Sequence, residues 1–177
     1  MNKVLITILA LIMLFIGACF HDSELMVKNS SNAEAWFTIE GGQVRYLPAQ
    51  GSTSVQYPSP RTLVIEYAGY HILSGSIMMD MNLSDGGYLS LEPSCGALKF
   101  YNSSGGDIRE LRISPSSQNN WSHNLLQYYL PKQSSEIISL KSGFYDLKIR
   151  DSSNCYHYVS AQEILLDTTK SYVFTGY

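Results

Sequence analysis

Residues 145–151, YDLKIRD, alternate large apolar and charged side chains along their whole length. Such alternation places the two kinds of side chain on opposite faces of an extended chain, which is typical of a half-buried β-strand. The apolar positions are Tyr145, Leu147 and Ile149, and the charged positions are Asp146, Lys148 and Arg150. A polar turn follows at residues 151–154, and residues 155–159 are the predicted returning strand of a hairpin.

Similar segments occur twice in the chain, which indicates an internal duplication. The matched segments are 28–31 with 101–104, 47–52 with 130–135, 61–67 with 145–151, and 87–90 with 171–174. The offset rises from 73 residues at the first match to 83 at the second, so the second copy carries about ten additional residues. We therefore expect an all-β chain of two antiparallel, β-sandwich-like modules, at residues 25–92 and 95–177.

The additional residues of the second copy include Trp121 to Tyr129. Their large apolar side chains recur at helical spacing after the polar run 116–120. This spacing predicts one short helix, or else an irregular lid, in the second module.

Composition excludes several classes of protein. The chain has 177 residues, of which 45% are apolar and 15% charged, and its formal net charge is -3. These values exclude a disordered chain, a coiled coil and a strongly basic nucleic-acid binder. We expect no nucleic-acid partner.

The first eighteen residues have the organisation of an export signal. Lys3 is the only charged residue before an apolar run from Val4 to Phe15, and the small residues Gly17 and Ala18 follow that run. The apolar run is shorter than the roughly 20 residues that a membrane-spanning helix needs. Residues 1–18 are therefore predicted to be a signal peptide.

Ile16, Gly17, Ala18 and Cys19 resemble the lipobox of bacterial lipoproteins. The resemblance implies cleavage before Cys19, a thioether-linked diacylglycerol on its sulfur and acylation of the new amino end, typically with palmitate. Residues 19–24 would then be a lipidated tether that holds the protein on a membrane surface. An Asp directly after the Cys would resemble the inner-membrane retention signal of enteric bacteria, and this chain has Phe20 there. The difference weakly favours the outer membrane.

The second copy, over about residues 97–175, is similar to a repeated β domain of secreted and lipid-anchored bacterial proteins. The matching residues are Asn102, Ile113 to Ser116, Trp121, Asn124 to Leu126, Leu130, Pro131, Gly143 to Leu147 and Asp151. That domain has no assigned activity, so the resemblance implies an architecture and no chemistry.

Cys95 and Cys155 remain once Cys19 is assigned to lipid. An even pair of cysteines in an oxidising compartment favours a disulfide. Two separate buried thiols are the alternative.

Two features are compatible with metal binding. Asp80, Asn82, Ser84 and Gly86 alternate as in a calcium loop, but Asp85 and Leu91 occupy the places where an EF-hand has Gly and Glu. Met78, Met79 and Met81 lie near His71, and thioethers select Cu(I), but a strand would turn Met78 away from the other two. A polar turn and a Met-rich core are the alternatives.

No catalytic motif is evident in the sequence. The chain lacks a Gly-x-Ser-x-Gly elbow, and His71, His123 and His157 lie in no local pattern that predicts a general base. We expect neither an enzyme nor a bound cofactor.

Aromatic residues are the remaining candidates for a contact surface. Tyr accounts for 13 residues, and Tyr156 and Tyr158 share one face of a predicted strand. Such rings suit recognition of a protein or a sugar, although Tyr is also common in strands for packing reasons alone. The predicted binding residues are Trp121, Leu125, Tyr128 and Tyr129, because their segment is absent from the first copy.

These observations favour a membrane-anchored, non-enzymatic binding or structural lipoprotein of the cell envelope. Its partner would be an envelope protein or a polysaccharide. A carrier of a small ligand or of calcium or copper is the alternative.

Overall fold

The computed structural model describes residues 21–81 and 86–176, within which it has thirteen β-strands and no helix. The strands are β1 (His21–Asn29), β2 (Ala35–Ile39), β3 (Arg45–Leu47), β4 (Ser52–Ser59), β5 (Arg61–Gly69), β6 (Gly75–Met81), β7 (Gly87–Leu91), β8 (Gly96–Asn102), β9 (Ile108–Pro115), β10 (Ser134–Leu140), β11 (Gly143–Asp151), β12 (Tyr156–Ile164) and β13 (Thr169–Phe174). The signal peptide, Cys19 and residues 82–85 of the calcium-like sequence lie outside the described residues.

The strands form four sheets, two for each copy of the sequence repeat. In the first module the sheets have the orders β4-β1-β7 and β3-β2-β5-β6, and in the second β10-β8-β13 and β12-β11-β9. All pairs are antiparallel except β1 with β7 and β8 with β13, which are parallel. The predicted all-β fold of two sandwich-like modules is confirmed.

Each module has its own hydrophobic core between its two sheets. The larger side chains of the first core are Leu25, Phe37, Leu47, Leu63, Ile65, Met81 and Leu91. Those of the second are Leu98, Phe100, Ile108, Leu111, Leu147, Ile149 and Phe174. Both sheets of each module supply these residues, so each module buries its own apolar surface.

An equivalent buried asparagine stands in each module at the end of its first strand. Asn29 accepts hydrogen bonds from the Ser31 N–H (3.0 Å) and hydroxyl (2.8 Å) and donates to the carbonyls of Ala33 (2.8 Å) and Pro48 (2.9 Å). In the second module, Asn102 accepts from the Ser104 N–H (3.1 Å) and hydroxyl (2.6 Å) and donates to the carbonyls of Gly106 (2.9 Å) and Leu130 (3.1 Å). The repeated bonding pattern supports the duplication.

Strand pairing corrects one of the sequence matches. Asn29 pairs with Leu91 and Asn102 pairs with Phe174, so Leu91 corresponds to Phe174 and Gly87 to Lys170. The match of 87–90 with 171–174 was therefore displaced by one residue. Because side chains alternate along a strand, that displacement would have exchanged the buried and exposed positions of β13.

The additional segment of the second module is irregular, and the structure has no helix there. It runs along the outer edge of β9, where the N–H of Ser122 donates to Ile113 O (2.8 Å) and that of Leu125 donates to Leu111 O (2.9 Å). Leu130 then forms a bridge with Ile108, as Leu47 of β3 does with Ala35 in the first module. The segment thus takes the place of a β3 strand, and of the two predicted forms the irregular one is found.

The first strand begins earlier than we expected. Residues 21–24, which we assigned to a tether, belong to β1 and pair with residues 56–59 of β4. Residues 92–95 connect β7 to β8 outside any strand.

The part of the chain that the structure describes contains no helix with the length and hydrophobicity that a membrane span requires.

A polar junction joins the two modules. His71, whose exposed fraction is only 2%, places Nδ1 3.0 Å from Asp167 Oδ1 and Nε2 2.8 Å from Thr169 Oγ1. The same carboxylate accepts the backbone N–H (2.8 Å) and the side-chain amide (2.6 Å) of Asn32. The Ser139 hydroxyl of the second module donates to Tyr70 O of the first at 2.9 Å. We call His71, Asp167, Asn32 and Thr169 the inter-module junction.

Candidate binding surface

The outer face of the sheet formed by β9, β11 and β12 follows from the alternation of residues 145–151. Leu147 and Ile149 are fully buried in the second core, as the alternation predicted. Lys148 and Arg150 therefore stand on the opposite face. In the sheet, Lys148 pairs with Tyr158 of β12 and with Arg112 of β9. Arg150 pairs with Tyr156 and with Glu110.

Cations and aromatic rings contact each other on this face. Lys148 Nζ lies 4.5 Å from the ring centroid of Tyr156 and 5.7 Å from that of Tyr158. Arg150 Cζ lies 6.0 Å from the Tyr156 centroid. These distances are those of cation–π contacts. Tyr156 and Tyr158 nevertheless remain 47% and 63% exposed, so their rings are accessible.

Trp121 extends the row of rings from the irregular segment. Its ring centroid lies 6.0 Å from that of Tyr158, with 66° between the planes, which is an edge-to-face contact. Its Nε1 donates a 2.7 Å hydrogen bond to Asn119 Oδ1, which fixes the orientation of the indole. We define the aromatic–cationic face as Trp121, Tyr156, Tyr158, Arg112, Lys148 and Arg150.

A buried carboxylate lies beneath the two arginines of the face. Glu110 is 5% exposed and accepts a hydrogen bond from Arg112 Nε. Arg150 Nε lies 3.1 Å from the other oxygen of Glu110, close enough for an ion pair but not aligned for a hydrogen bond. Lys148 has no carboxylate partner among the described residues. A carboxylate of a ligand can therefore pair with Lys148 without competing with a carboxylate of the protein, whereas at the two arginines it would compete with Glu110.

The four predicted binding residues do not all lie on one surface. Trp121 joins the aromatic–cationic face, whereas Leu125 packs against the second core and bonds β9 through its backbone. Tyr128 and Tyr129 are exposed, and the Arg109 guanidinium carbon lies 5.9 Å from the Tyr129 centroid. Arg109 also donates to Asn154 Oδ1 (3.0 Å) in the turn before β12, so this second contact adjoins the face.

Lys148, Arg150 and Glu110 were not among the predicted site residues. A signal for the first two was present, because the alternation placed them together and the predicted hairpin brought Tyr156 and Tyr158 opposite. The register that pairs Lys148 with Tyr158 comes only from the structure.

Two aspartates near the face have lowered pKa values. The pKa of Asp151 is lowered chiefly by a hydrogen bond from His157, with the N–H groups of Cys155 and Ser153 adding to the effect. The pKa of Asp146 is lowered chiefly by the N–H of Ala161. Both carboxylates are therefore ionised at neutral pH. Asp151 holds the turn at one end of the β11–β12 pair, and Asp146 holds the backbone of the bulge at Ala161 within the pair.

The predicted disulfide is not formed, since Cys95 is a buried free thiol and Cys155 an exposed one. Cys95 directly precedes β8, whereas the turn that holds Cys155 lies against Gly106, beyond the far end of that strand. A strand of this length separates its two ends by about 20 Å. A disulfide requires its two Cα atoms to lie within about 7 Å. Burial raises the pKa of the Cys95 thiol, which makes it a poor nucleophile.

The residues considered for metal binding are dispersed. Met81 is buried in the first core and Met79 packs against it, whereas Met78 is exposed on the other face of β6. His71 is engaged in the inter-module junction, and Asp80 accepts a hydrogen bond from Thr62 (2.6 Å). Among the described residues no group of three His, Cys, Asp or Glu side chains is placed to hold a metal ion.

Comparison with known proteins returns no family model and no curated sequence that matches this chain. Several solved structures are similar to it, among them three bacterial proteins. The TIE protein of Bacillus anthracis is 12% identical with a TM-score of 0.34, and the match covers 87% of this chain and 34% of that one. The chain thus spans about a third of the length of that protein.

The other two similar structures are from Porphyromonas gingivalis and Bacteroides fragilis. The tip fimbrial protein Mfa3 of the former, truncated at its C-terminus, is 7% identical with a TM-score of 0.31, and the match covers 79% of this chain and 81% of that one. The BF2867 protein of the latter, described as a candidate cell adhesion protein, is 6% identical with a TM-score of 0.35, over 85% and 92% of the two chains.

Proposed function

We propose that this chain is a lipid-anchored, non-enzymatic binding protein of the bacterial cell envelope, which binds its partner through the aromatic–cationic face. The observation that carries the proposal is the row of Trp121, Tyr158 and Tyr156, with Lys148 between the two tyrosines. Exposed rings of this kind offer a large contact area at low entropic cost, and they dominate the energetics of many binding surfaces.

The rigid setting of the face supports a role in binding. Lys148 and Arg150 lie on β11, the central strand of its sheet, and Tyr156 and Tyr158 lie on the adjacent β12. Side chains on paired strands hold their spacing better than side chains on loops. A partner therefore meets rings and charges that are already in place, which lowers the entropy cost of binding.

The proposed anchor rests on the sequence of residues 16–19 and on the export signal before them. Lipid on Cys19 would hold the first module beside a membrane surface and leave the second module farther along the chain. We favour the outer membrane because the residue after Cys19 is Phe20 and not Asp. The proposal of no catalytic activity rests on the lack of a catalytic motif in the sequence.

The test is a pull-down from detergent-solubilised envelopes that compares the wild type with Trp121→Ala and Tyr158→Ala. We expect a partner that the wild type retains and of which both variants capture less, by about tenfold or more, because each substitution removes a ring of the face. Tyr88→Ala is the matched control, since Tyr88 is 58% exposed on β7 of the first module. Equal retention by all four proteins would place the binding site elsewhere.

A further inference from the structure

The outward side chains of the β9, β11 and β12 sheet are mainly charged residues and rings. From Asp146 to Arg150 of β11, together with the residues that pair with them, they are Glu110, Arg112, Ser114, Asp146, Lys148, Arg150, Tyr156 and Tyr158. Cores of protein–protein interfaces are apolar and depleted of charged residues. A face on which charged side chains stand opposite rings, as Lys148 does opposite Tyr158 and Arg150 opposite Tyr156, does not form such a dry core.

Most charges of this region are matched within the protein. Four cations lie on or beside the face, namely Arg109, Arg112, Lys148 and Arg150, and so do the four carboxylates of Glu110, Asp146, Asp151 and Glu163. Arg112 and Arg150 are within ion-pair distance of Glu110, whereas Lys148 has no carboxylate partner among the described residues. A carboxylate of a ligand can therefore pair with Lys148 without competing with a carboxylate of the protein.

Rings and cations side by side match one class of polymer in particular. A sugar ring presents a face of C–H groups that packs on an aromatic ring, while a uronic acid carries a carboxylate at its rim. Charge-assisted bonds from Lys and Arg to such carboxylates are roughly twice as strong as neutral ones. Lys148, 4.5 Å from the Tyr156 centroid and without a carboxylate partner among the described residues, is placed to supply one.

We propose that the aromatic–cationic face binds a carboxylated polysaccharide, with sugar rings packed on Trp121 and Tyr158 and carboxylates paired with Lys148 and the adjacent arginines. This inference rests on the proposed function, which it deepens by naming the class of ligand. An acidic peptide is the competing ligand. It would satisfy the cations equally well but would gain less from the rings, since an extended peptide binds a sheet through the backbone of an edge strand.

The experiment measures the affinity of the full chain in detergent micelles for fluorescein-labelled polygalacturonate, by fluorescence anisotropy. Dextran tests sugar rings without carboxylates, and polyglutamate tests carboxylates without sugar rings. We expect polygalacturonate to bind at least about tenfold more tightly than either of the other polymers. Added salt should weaken its binding, because the cations contribute to it.

Variants identify the face as the site. Tyr158→Ala and Lys148→Gln should each weaken polygalacturonate binding by about tenfold. Tyr88→Ala and Lys99→Gln are the matched controls, because both replace exposed residues of the same type on other sheets, and they should bind as the wild type does. Circular dichroism and the thermal midpoint verify that each variant is folded.

The outcomes separate this inference from the proposed function. Polyglutamate binding as tight as polygalacturonate binding, or polygalacturonate binding that Tyr158→Ala leaves unchanged, would overturn the inference. If polygalacturonate does not bind but capture of an envelope partner still depends on Trp121 and Tyr158, the ligand class is wrong and the proposed function stands. If capture is also independent of these two residues, both fail.

Discussion

A single buried asparagine organises the end of the first strand in each module. Asn29 and Asn102 are fully buried, and each amide joins the turn that follows its own strand to a segment that arrives from later in the chain. A carboxamide has donors and acceptors enough for all these bonds at once. The turns that these amides bond are also alike, since Gln50 and Gln133, two residues after Pro48 and Pro131, have positive φ angles of 57° and 60°.

Replacement of this asparagine should be among the most destabilising polar substitutions in the chain. Asn102→Ala removes one of two donors to each of the Gly106 and Leu130 carbonyls, and it removes the acceptor of the Ser104 N–H and hydroxyl. We expect the free energy of unfolding to fall by about 2–4 kcal/mol, because four buried hydrogen bonds are lost and the Ser104 N–H is left without a partner. Urea denaturation measures the change. Asn120→Ala, at an exposed position, should change it by less than about 0.5 kcal/mol. Similar values for the two variants would show that the amide of Asn102 contributes little.

At the scale of elements, the irregular segment protects the edge of β9. Asn124 Oδ1 accepts the N–H of Leu111 (2.9 Å) and that of Leu126 (3.2 Å), and Ser122 Oγ accepts the N–H of Ile113 (3.1 Å). Backbone groups along the outer edge of β9 are thus bonded within the module. An unprotected edge strand is a template for pairing with another chain.

Asn124→Ala should open this edge locally. The substitution removes the acceptor of two N–H groups, so we expect the Leu111 and Leu126 amides to exchange with deuterium about tenfold faster or more. Gln127→Ala, an exposed position in the same segment, should leave their exchange unchanged. Hydrogen exchange followed by NMR resolves both amides. Unaltered exchange in Asn124→Ala would mean that the backbone bonds of Ser122 and Leu125 suffice to hold the segment.

Local patterns predicted those elements whose placement depends only on their own residues. The alternation of residues 145–151 and the separation of Met78 from Met79 and Met81 were right, because period-two geometry is a property of one strand. The helical spacing of residues 121–129 left a helix and an irregular lid as alternatives, and hydrogen bonds to β9 favour the irregular form that the structure has. The periodicity of a sequence does not show which strands pair, so the register of β13 became clear only from its pairing with β8. Periodicity also gives no distance between elements, so it could not show that Cys95 and Cys155 lie too far apart for a disulfide.

The same limit applies to the candidate binding surface. The sequence placed Tyr156 and Tyr158 on one face and singled out Trp121, but only strand pairing brings Lys148 between the rings and Glu110 beneath the arginines. Tyr128 and Tyr129 were chosen because their segment is unique to one copy, and the structure places them beside the face, not on it.

At the scale of the whole molecule, the inter-module junction couples two sandwiches that have separate cores. Asp167 has a positive φ of 56° and bonds both His71 and Asn32 of the first module. The Cys95 carbonyl of the connection accepts the Asp167 N–H (3.0 Å). One carboxylate therefore holds two loops of the first module and lies against the link between the modules.

Asp167→Gly should uncouple the two modules. Glycine tolerates the positive φ angle, so the substitution removes the carboxylate without adding backbone strain. We expect the wild type to unfold in one calorimetric transition and the variant in two, because three of the bonds that join the modules, those of the carboxylate to His71 and Asn32, are lost. Ala161→Gly is the control, since Ala161 also has a positive φ, of 55°, but lies on β12 away from the junction. A single, unshifted transition in Asp167→Gly would contradict this role.

The parallel pairing of the first and last strands of each module bears on how the molecule carries mechanical load. Because β1 and β7 run in the same direction, as do β8 and β13, the chain enters each module at one end and leaves it at the other. If one end of the chain is held and a partner pulls on the other, tension acts along these strands. The tension then loads the paired residues of these strands in shear, five pairs in the first module and six in the second. All pairs of a module resist together, instead of separating one after another.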